Sequence, residues 1–187
     1  MERGWLVAVF AFLVAAGLVF PLAIVKQRMS RYQHKPTLDG MYYLSYEHPD
    51  EYEAISWLNK NIKGAPVTLE ASGGAYSYEA RVSANTGLPT VLGWRNHESI
   101  WRAAWKDQNQ NEKIGWDLTA SRETDVRRIY DSEDYNSIVP LLEKYKIKYI
   151  FIGEEEKKKY SASGLAKFDS SKIVFSNKSV SIYKTDI

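Results

Sequence analysis

Cysteine is absent from the 187 residues. Disulfides and thiolate metal sites are therefore excluded, while the redox compartment stays open. An excess of one charge sign is also lacking, since 25 Lys and Arg stand against 23 Asp and Glu for a formal net charge of +2. Five of those basic residues (Arg3, Lys26, Arg28, Arg31 and Lys35) lie around the first apolar segment with Glu2, which leaves 20 basic against 22 acidic residues over 36–187. A phosphate-binding face normally shows as a basic excess or stripe, so nucleic acid is not an expected partner. Catalytic fingerprints are missing too: there is no Ser-His-Asp set, CxxC, dinucleotide glycine pattern or HExxH. SGGAYSY (72–78) is no Walker loop, because it lacks the Gly-Lys-Ser/Thr ending. No cofactor follows from these residues.

The chain does contain a long uncharged run, Trp5–Val25, 21 residues. At 1.5 Å per residue it matches a hydrocarbon core of roughly 30 Å, which predicts a membrane-spanning helix and a lipid bilayer as partner. KQRMSR follows it, not the small-residue site of a cleaved signal peptide. Pro21 sits near one end of the span, where a lost backbone bond is best tolerated. Lys26, Arg28 and Arg31 would place the C-terminal side in the cytoplasm if this were a lone span. With four residues ahead of it, the run also reads as the last span of a larger protein, whose upstream helices would set the topology. The expected organisation is a tail (1–4), the span (5–25), a linker (26–47) and one α/β domain (48–187). Hydrophobic residues make up 44% of the chain, enough for a domain core of ordinary size.

Beyond the linker, helical and strand patterns alternate. HPDEYEAISWLNKNIKG (48–64) has Pro49 and acidic residues in a first turn. It carries Ala54, Ile55, Leu58 and Ile62 at helical spacing and ends at Gly64. APVTLEA (65–71) and LPTVLGW (88–94) read as short strands, HESIWRAAW (97–105) as a helix and 106–120 as a polar loop. SRETDVRRIY and DYNSIVPLLEKYKI read as helices, the second kinked or divided at Pro140. YIFIG (149–153) reads as a strand buried on both faces, and KIVFSNKSVSIYK (172–184) as a hairpin about an Asn177–Lys178 turn. Asn177-Lys-Ser is also a formal glycosylation acceptor, although the turn suffices to explain it. The order predicts a three-layer α/β domain with a mainly parallel sheet closed by a C-terminal β-hairpin.

In such sheets ligands bind beyond the carboxyl ends of parallel strands. Glu70, then Trp94 with Arg95, His97 and Glu98, and then Glu154 end or follow the three expected strands, so parallel pairing would gather them at one edge. His97 and Glu98 would lie in a helix's first turn, whose free N–H groups favour an anion. Competing readings exist for the same residues. Glu98 and Arg102, four apart, also fit an ordinary surface ion pair worth about 0.2–0.5 kcal/mol. His97, Trp101 and Trp105 fit a packing stripe. Glu70, His97 and Glu98 offer metal ligands but without diagnostic spacing. EEEKKK (154–159) fits a solvated helix.

Four segments carry a family resemblance: TLDGMYYL (37–44), residues 54–102, SRETDVRRIY (121–130) and LLEKYKIKYIFIGEEEKKKY (141–160). They resemble the C-terminal part of the YYY family of prokaryotic multi-pass membrane proteins. The most specific block is RVSANTGLPTVLGWRNHESIWR, with Arg81, Ser83, Thr86–Thr90, Gly93–Trp94, His97–Glu98 and Trp101–Arg102 at the matching positions. That family is similar to the C-superfamily glycosyltransferases, which use lipid-phosphate-linked sugars outside the cytoplasm. The resemblance implies an extracytoplasmic domain behind a last span, with Glu70, Arg81, Trp94, His97, Glu98 and Arg102 recognising a polyprenyl-phosphate-linked sugar or its acceptor. It also implies a partner bundle of upstream spans in the same or a neighbouring protein. The catalytic acid of such transferases lies in a loop near the start of that bundle, so this chain alone is expected not to be catalytic. The alternative is a membrane-anchored binding or scaffolding domain.

Overall fold

The computed structural model describes residues 4–31, 37–104, 106 and 115–186. It divides into two compact units, Met1–Gly40 and Met41–Ile187. In the first, helix α1 (Gly4–Arg31) contains a stretch, Gly4–Arg28, of 25 residues, within which an 18-residue window has mean hydropathy 2.7. None of that stretch is buried within the protein. At about 1.5 Å per residue it is long and apolar enough to cross a membrane.

The second unit begins before the expected boundary at 48, because helix α2 (Leu44–Glu47) packs on helix α3 (Pro49–Asn61) through the fully buried Leu44. Pro49 opens α3, and Ala54, Ile55 and Leu58 form its buried stripe. Gly64 then takes φ +77°, the left-handed turn that releases the chain into strand β1 (Val67–Leu69). Helices α4 (Arg81–Thr86), α5 (Arg95–Arg102), α6 (Gly115–Asp131) and α7 (Tyr135–Tyr145) precede strand β2 (Ile147–Ile152). Helices α8 (Glu154–Lys159) and α9 (Ala162–Ala166) and a 3-10 turn follow, and then strands β3 (Lys172–Ser176) and β4 (Ser181–Lys184).

Among the described residues the four strands lie in the order β1-β2-β4-β3. Only β1 and β2 run parallel; β2 with β4 and β4 with β3 are antiparallel. The sheet is therefore mixed, and the expectation of a mainly parallel one does not hold. The cause is the segment 88–94, which forms no strand. It follows β1 through single bonds, Thr68 N–H to Pro89 O at 2.9 Å and Gly73 N–H to Gly93 O at 3.0 Å, with one parallel bridge at Gly73 and Trp94. Pro89 has no N–H to give a ladder, and the neighbours Val91 and Leu92 both turn into the core, which the alternation of a pleated strand does not allow. The C-terminal hairpin forms as expected, with its turn closed by Asn177 N–H to Val180 O at 3.0 Å. The Asn177 side-chain amide donates to Asp50 O and Glu53 Oε2, both at 2.9 Å.

β2 divides the core between its faces. Ile150 and Ile152 join a cluster with Val126, Ile129, Ile138 and Leu142, whereas Phe151 joins one with Ala54, Ile55, Leu58 and Val82. Ile147 also belongs to the first cluster, although strict alternation would send it to the other. The register jumps from Val67–Ile147 to Thr68–Tyr149, so Lys148 is an extra, bulged residue that resets the pleat. α7 is not divided by Pro140 but runs unbroken from Tyr135 to Tyr145. Its start is held by Asp134, whose carboxylate accepts the Asn136 and Ser137 N–H groups at 3.0 and 3.2 Å. Asp134→Ala is expected to cost about 1 kcal/mol, read as a lower urea midpoint with unchanged slope; an unchanged midpoint would show that the cap does not hold α7.

Candidate functional site

The carboxyl ends of β1 and β2 point to one edge because the two strands are parallel. Acidic groups do gather there, yet the protein's own donors take them up. Glu70, 1% exposed, gives its two oxygens to the N–H groups of Val82 and Ser83 at 2.8 and 2.9 Å. These are early N–H groups of α4, whose N-cap, Ala80, has no side-chain acceptor. Glu70 thus caps a helix from another element. Burial pushes its carboxyl up to about 7, against the lowering by the hydrogen bonds from Ser83 and Val82 and by the charge of Arg81.

Arg81, 3% exposed, is enclosed beneath this edge. Its Nε and Nη2 donate to the two oxygens of Glu51, and Nη2 also donates to Glu156 Oε2 at 2.9 Å. Both carboxylates are fully buried and further satisfied. Glu51 accepts the Tyr78 hydroxyl at 2.6 Å and the Glu154 N–H at 3.0 Å. Glu156 accepts the N–H groups of Ala71 at 2.7 Å and Gly153 at 2.8 Å, the residues beyond the ends of β1 and β2. Burial works against the ionised Glu51, but the Arg81 guanidinium and the Tyr78 hydroxyl outweigh it and hold the carboxyl below its ordinary value. The Phe151 ring faces the guanidinium at 5.2 Å. Gly153 must be glycine for reasons of space, since a Cβ would stand 2.4 Å from Glu51 Oε1 and 2.9 Å from Arg81 Nη2. The expectation that EEEKKK is wholly solvated fails at Glu156, and Arg81 and Glu70 are enclosed by the protein's own groups.

Above this network the loop 72–80 and α5 carry a row of rings. Tyr76 lies 5.4 Å from Trp94 and 6.1 Å from His97, and Trp94 meets His97 edge-on at 6.2 Å. His97 lies 6.0 Å from Trp101, whose indole N–H donates to His97 Nε2 at 2.9 Å. Trp94 is fixed by its own indole N–H, which donates to the carbonyls of Glu79 and Ser77 at 2.8 and 3.1 Å. Tyr76 takes φ +62°, an uncommon backbone state for a bulky residue. It is 81% exposed and Trp101 is 73% exposed. Trp101 is therefore not the packing residue of the expected stripe, because its helix presents it outward; Trp105 lies outside the described residues.

Beside the row, Glu98 Oε2 accepts from Arg102 Nη1 at 2.6 Å and its Oε1 accepts the Gly93 N–H at 2.7 Å. The pair is part-buried and ties α5 to the segment before it. Glu70, His97 and Glu98 do not form a ligand set: among the described residues no three His, Cys, Asp or Glu groups are placed to hold a metal ion. Four of the six expected site residues, Trp94, His97, Glu98 and Arg102, thus share a partly exposed surface, and two lie within. Sequence reasoning missed Tyr76, Glu51 and Glu156. A signal existed for Glu51, which stands three, four and seven positions before Ala54, Ile55 and Leu58 and so falls on the apolar stripe of α3. One existed for Glu156 as well, three residues after Gly153, where a helix-capping glutamate belongs.

Arg81→Met is expected to destabilise the domain by about 3–5 kcal/mol, because two buried carboxylates lose their counter-charge. A loss under about 1 kcal/mol in urea unfolding would show that these charges reach water. Glu70 makes a separate, pH-dependent contribution. Below 4.5 the folded and unfolded chains both hold its proton; between 4.5 and about 7 only the folded chain does, so stability falls as pH rises and the loss is complete above about 7. Glu70→Gln should therefore gain on the wild type by about 3 kcal/mol between about pH 4.5 and pH 7.5. Parallel stability curves for the two proteins would refute the raised carboxyl.

Comparison of the chain with family models, with curated proteins and with solved structures finds no match; what the ring-lined surface does is read from its own chemistry.

Proposed function

We propose that the chain is the membrane-anchored, extracytoplasmic module of a glycosyltransferase-like membrane protein, and that the row Tyr76–Trp94–His97–Trp101 receives the sugar of a lipid-linked donor or an acceptor. The observation that carries this reading is the outward display of Tyr76 and Trp101, 81% and 73% exposed, on either side of the fixed Trp94 and His97. A soluble domain gains nothing by leaving two large rings in water, whereas the apolar faces of pyranose rings stack on such side chains and the polar rims meet hydroxyls. Arg102 and Glu98, at the margin of the row, supply a donor and an acceptor for hydroxyl or phosphate oxygens. The apolar stretch of α1 supports anchoring in the membrane that holds a polyprenyl-phosphate substrate. The same reading takes the α/β domain as three-layered and assigns the chemical step to an upstream bundle of spans in the same or a neighbouring protein.

A second reading, a non-catalytic scaffold, is favoured by one observation. Glu98 and Arg102 pair with each other, and Glu98 also holds the Gly93 N–H, so their polar groups already serve the fold. In that case the exposed rings are the core of a protein–protein contact.

Titration of the full chain in lipid discs with a short-chain prenyl-phosphate sugar separates the two. Tyr76→Ala and Trp101→Ala should each weaken binding by about three- to tenfold, the loss of one ring stack. Both should leave stability within about 0.5 kcal/mol, as surface changes do. Absence of saturable binding by the wild type, together with loss of a protein partner in the same variants, would replace the sugar reading with the scaffold.

A further inference from the structure

The opposite edge of the sheet has a different character. At the amino ends of β1 and β2, Lys63, Lys148 and Lys184 line an open groove of about 460 Å³ with Pro66, Tyr149 and Asp186. Lys146 and Lys148 border the adjoining hollow, which also includes Glu143. Lys172 stands directly opposite Lys184 in the β3–β4 register. Among the described residues none of these five lysines has an ion-pair partner. Two features of the strands shape this arrangement. Like charges directly opposite each other across strands are destabilising, yet Lys172 and Lys184 are so placed. The bulge in β2 falls on Lys148, and a bulge re-aims the extra residue's side chain, here at the groove. The concentration of positive charge is local, because residues 36–187 carry 20 basic against 22 acidic residues.

The chain also enters the domain at this end. Met41, the first residue of the compact unit, accepts through its sulfur from Asn59 Nδ2 at 3.6 Å, on the last turn of α3. Lys63 follows that helix end, before β1 begins.

We infer that the lysine edge formed by Lys63, Lys146, Lys148, Lys172 and Lys184 docks on the anionic phospholipid headgroups of the membrane that holds the apolar span. Each lysine near such a surface adds to the attraction, and five of them outweigh the two acidic residues bordering the grooves. A domain continuous with a membrane span meets headgroups at high effective concentration, so weak individual contacts suffice. The inference rests on the span's crossing a membrane; docking by this edge leaves the ring row on the far side of the domain, where, of the two occupants proposed for it, an acceptor fits and a sugar still tied to a membrane lipid does not.

The test is lysine acetylation of the full chain, read residue by residue, in discs of neutral phosphatidylcholine and in discs with about 30% phosphatidylglycerol. In anionic discs Lys63, Lys148 and Lys184 should react about threefold more slowly, with recovery at about 1 M salt, where the screening length is about 3 Å. Lys157 and Lys158, on α8 at the other edge, should keep their rates. Lys63→Gln with Lys184→Gln, two exposed changes, should release the protection of Lys148 and Lys172. Equal rates in the two kinds of disc would overturn the inference, as would equal slowing of Lys157 and Lys158. Protection by inorganic phosphate in neutral discs to the same extent would assign the edge to a soluble anion and overturn the lipid.

Discussion

A guanidinium taken out of water must bring its counter-charges along, and in this domain that demand organises everything around it. Arg81 cannot lose its proton in compensation, so its burial requires carboxylates in fixed positions. They come from two helices that are otherwise unrelated in sequence, Glu51 on α3 and Glu156 on α8. Once there, each carboxylate needs further donors, and apart from the Tyr78 hydroxyl on Glu51 these are backbone groups: Ala71 and Gly153 for Glu156, and Glu154 for Glu51. The network therefore positions the ends of β1 and β2 as well as the start of α4. The loop that lifts Tyr76 runs from one anchored point to the other, from Ala71 to Arg81.

Much of the architecture was legible because it rests on short-range rules. The apolar run at 5–25, the Pro49-to-Gly64 helix, the buried strand at 149–153 and the C-terminal hairpin all announce themselves by period and punctuation, and each element is present. The failures share a cause. LPTVLGW has the composition of a strand, but whether it pairs depends on donors and neighbours that a local pattern does not contain, and Pro89 removes one of them. EEEKKK has the composition of a solvated helix, but one of its three glutamates is needed by an arginine 75 positions away. The candidate site divides along the same line. Trp94, His97, Glu98 and Arg102 were visible as a dense block, whereas the burial of Glu70 and Arg81 and the exposure of Tyr76 are set by tertiary packing.

The two ends of the sheet are complementary in kind. One end carries rings, with its charges paired inside the protein; the other carries lysines without an ion-pair partner among the described residues. The bulge at Lys148 connects the two assignments. By adding one residue it lets β2 present Ile147 and Ile150 to the same cluster while the lysine between them turns to the groove. Core packing and surface charge at that strand are therefore settled by a single insertion.

Arg81 also has a dynamic consequence. Its partners lie 30 positions before it and 75 after it, so no local fragment of the chain can assemble the network. Nor does either helix leave without cost, because releasing α8 takes the Glu156 acceptors from Arg81 and from the Ala71 and Gly153 N–H groups, and releasing α3 takes the Glu51 acceptors from Arg81 and the Glu154 N–H. Helices that look like separate short pieces are thereby coupled into one cooperative opening unit. In hydrogen exchange the amides of Ala71, Gly153 and Glu154, though distant in sequence, would share a single protection free energy.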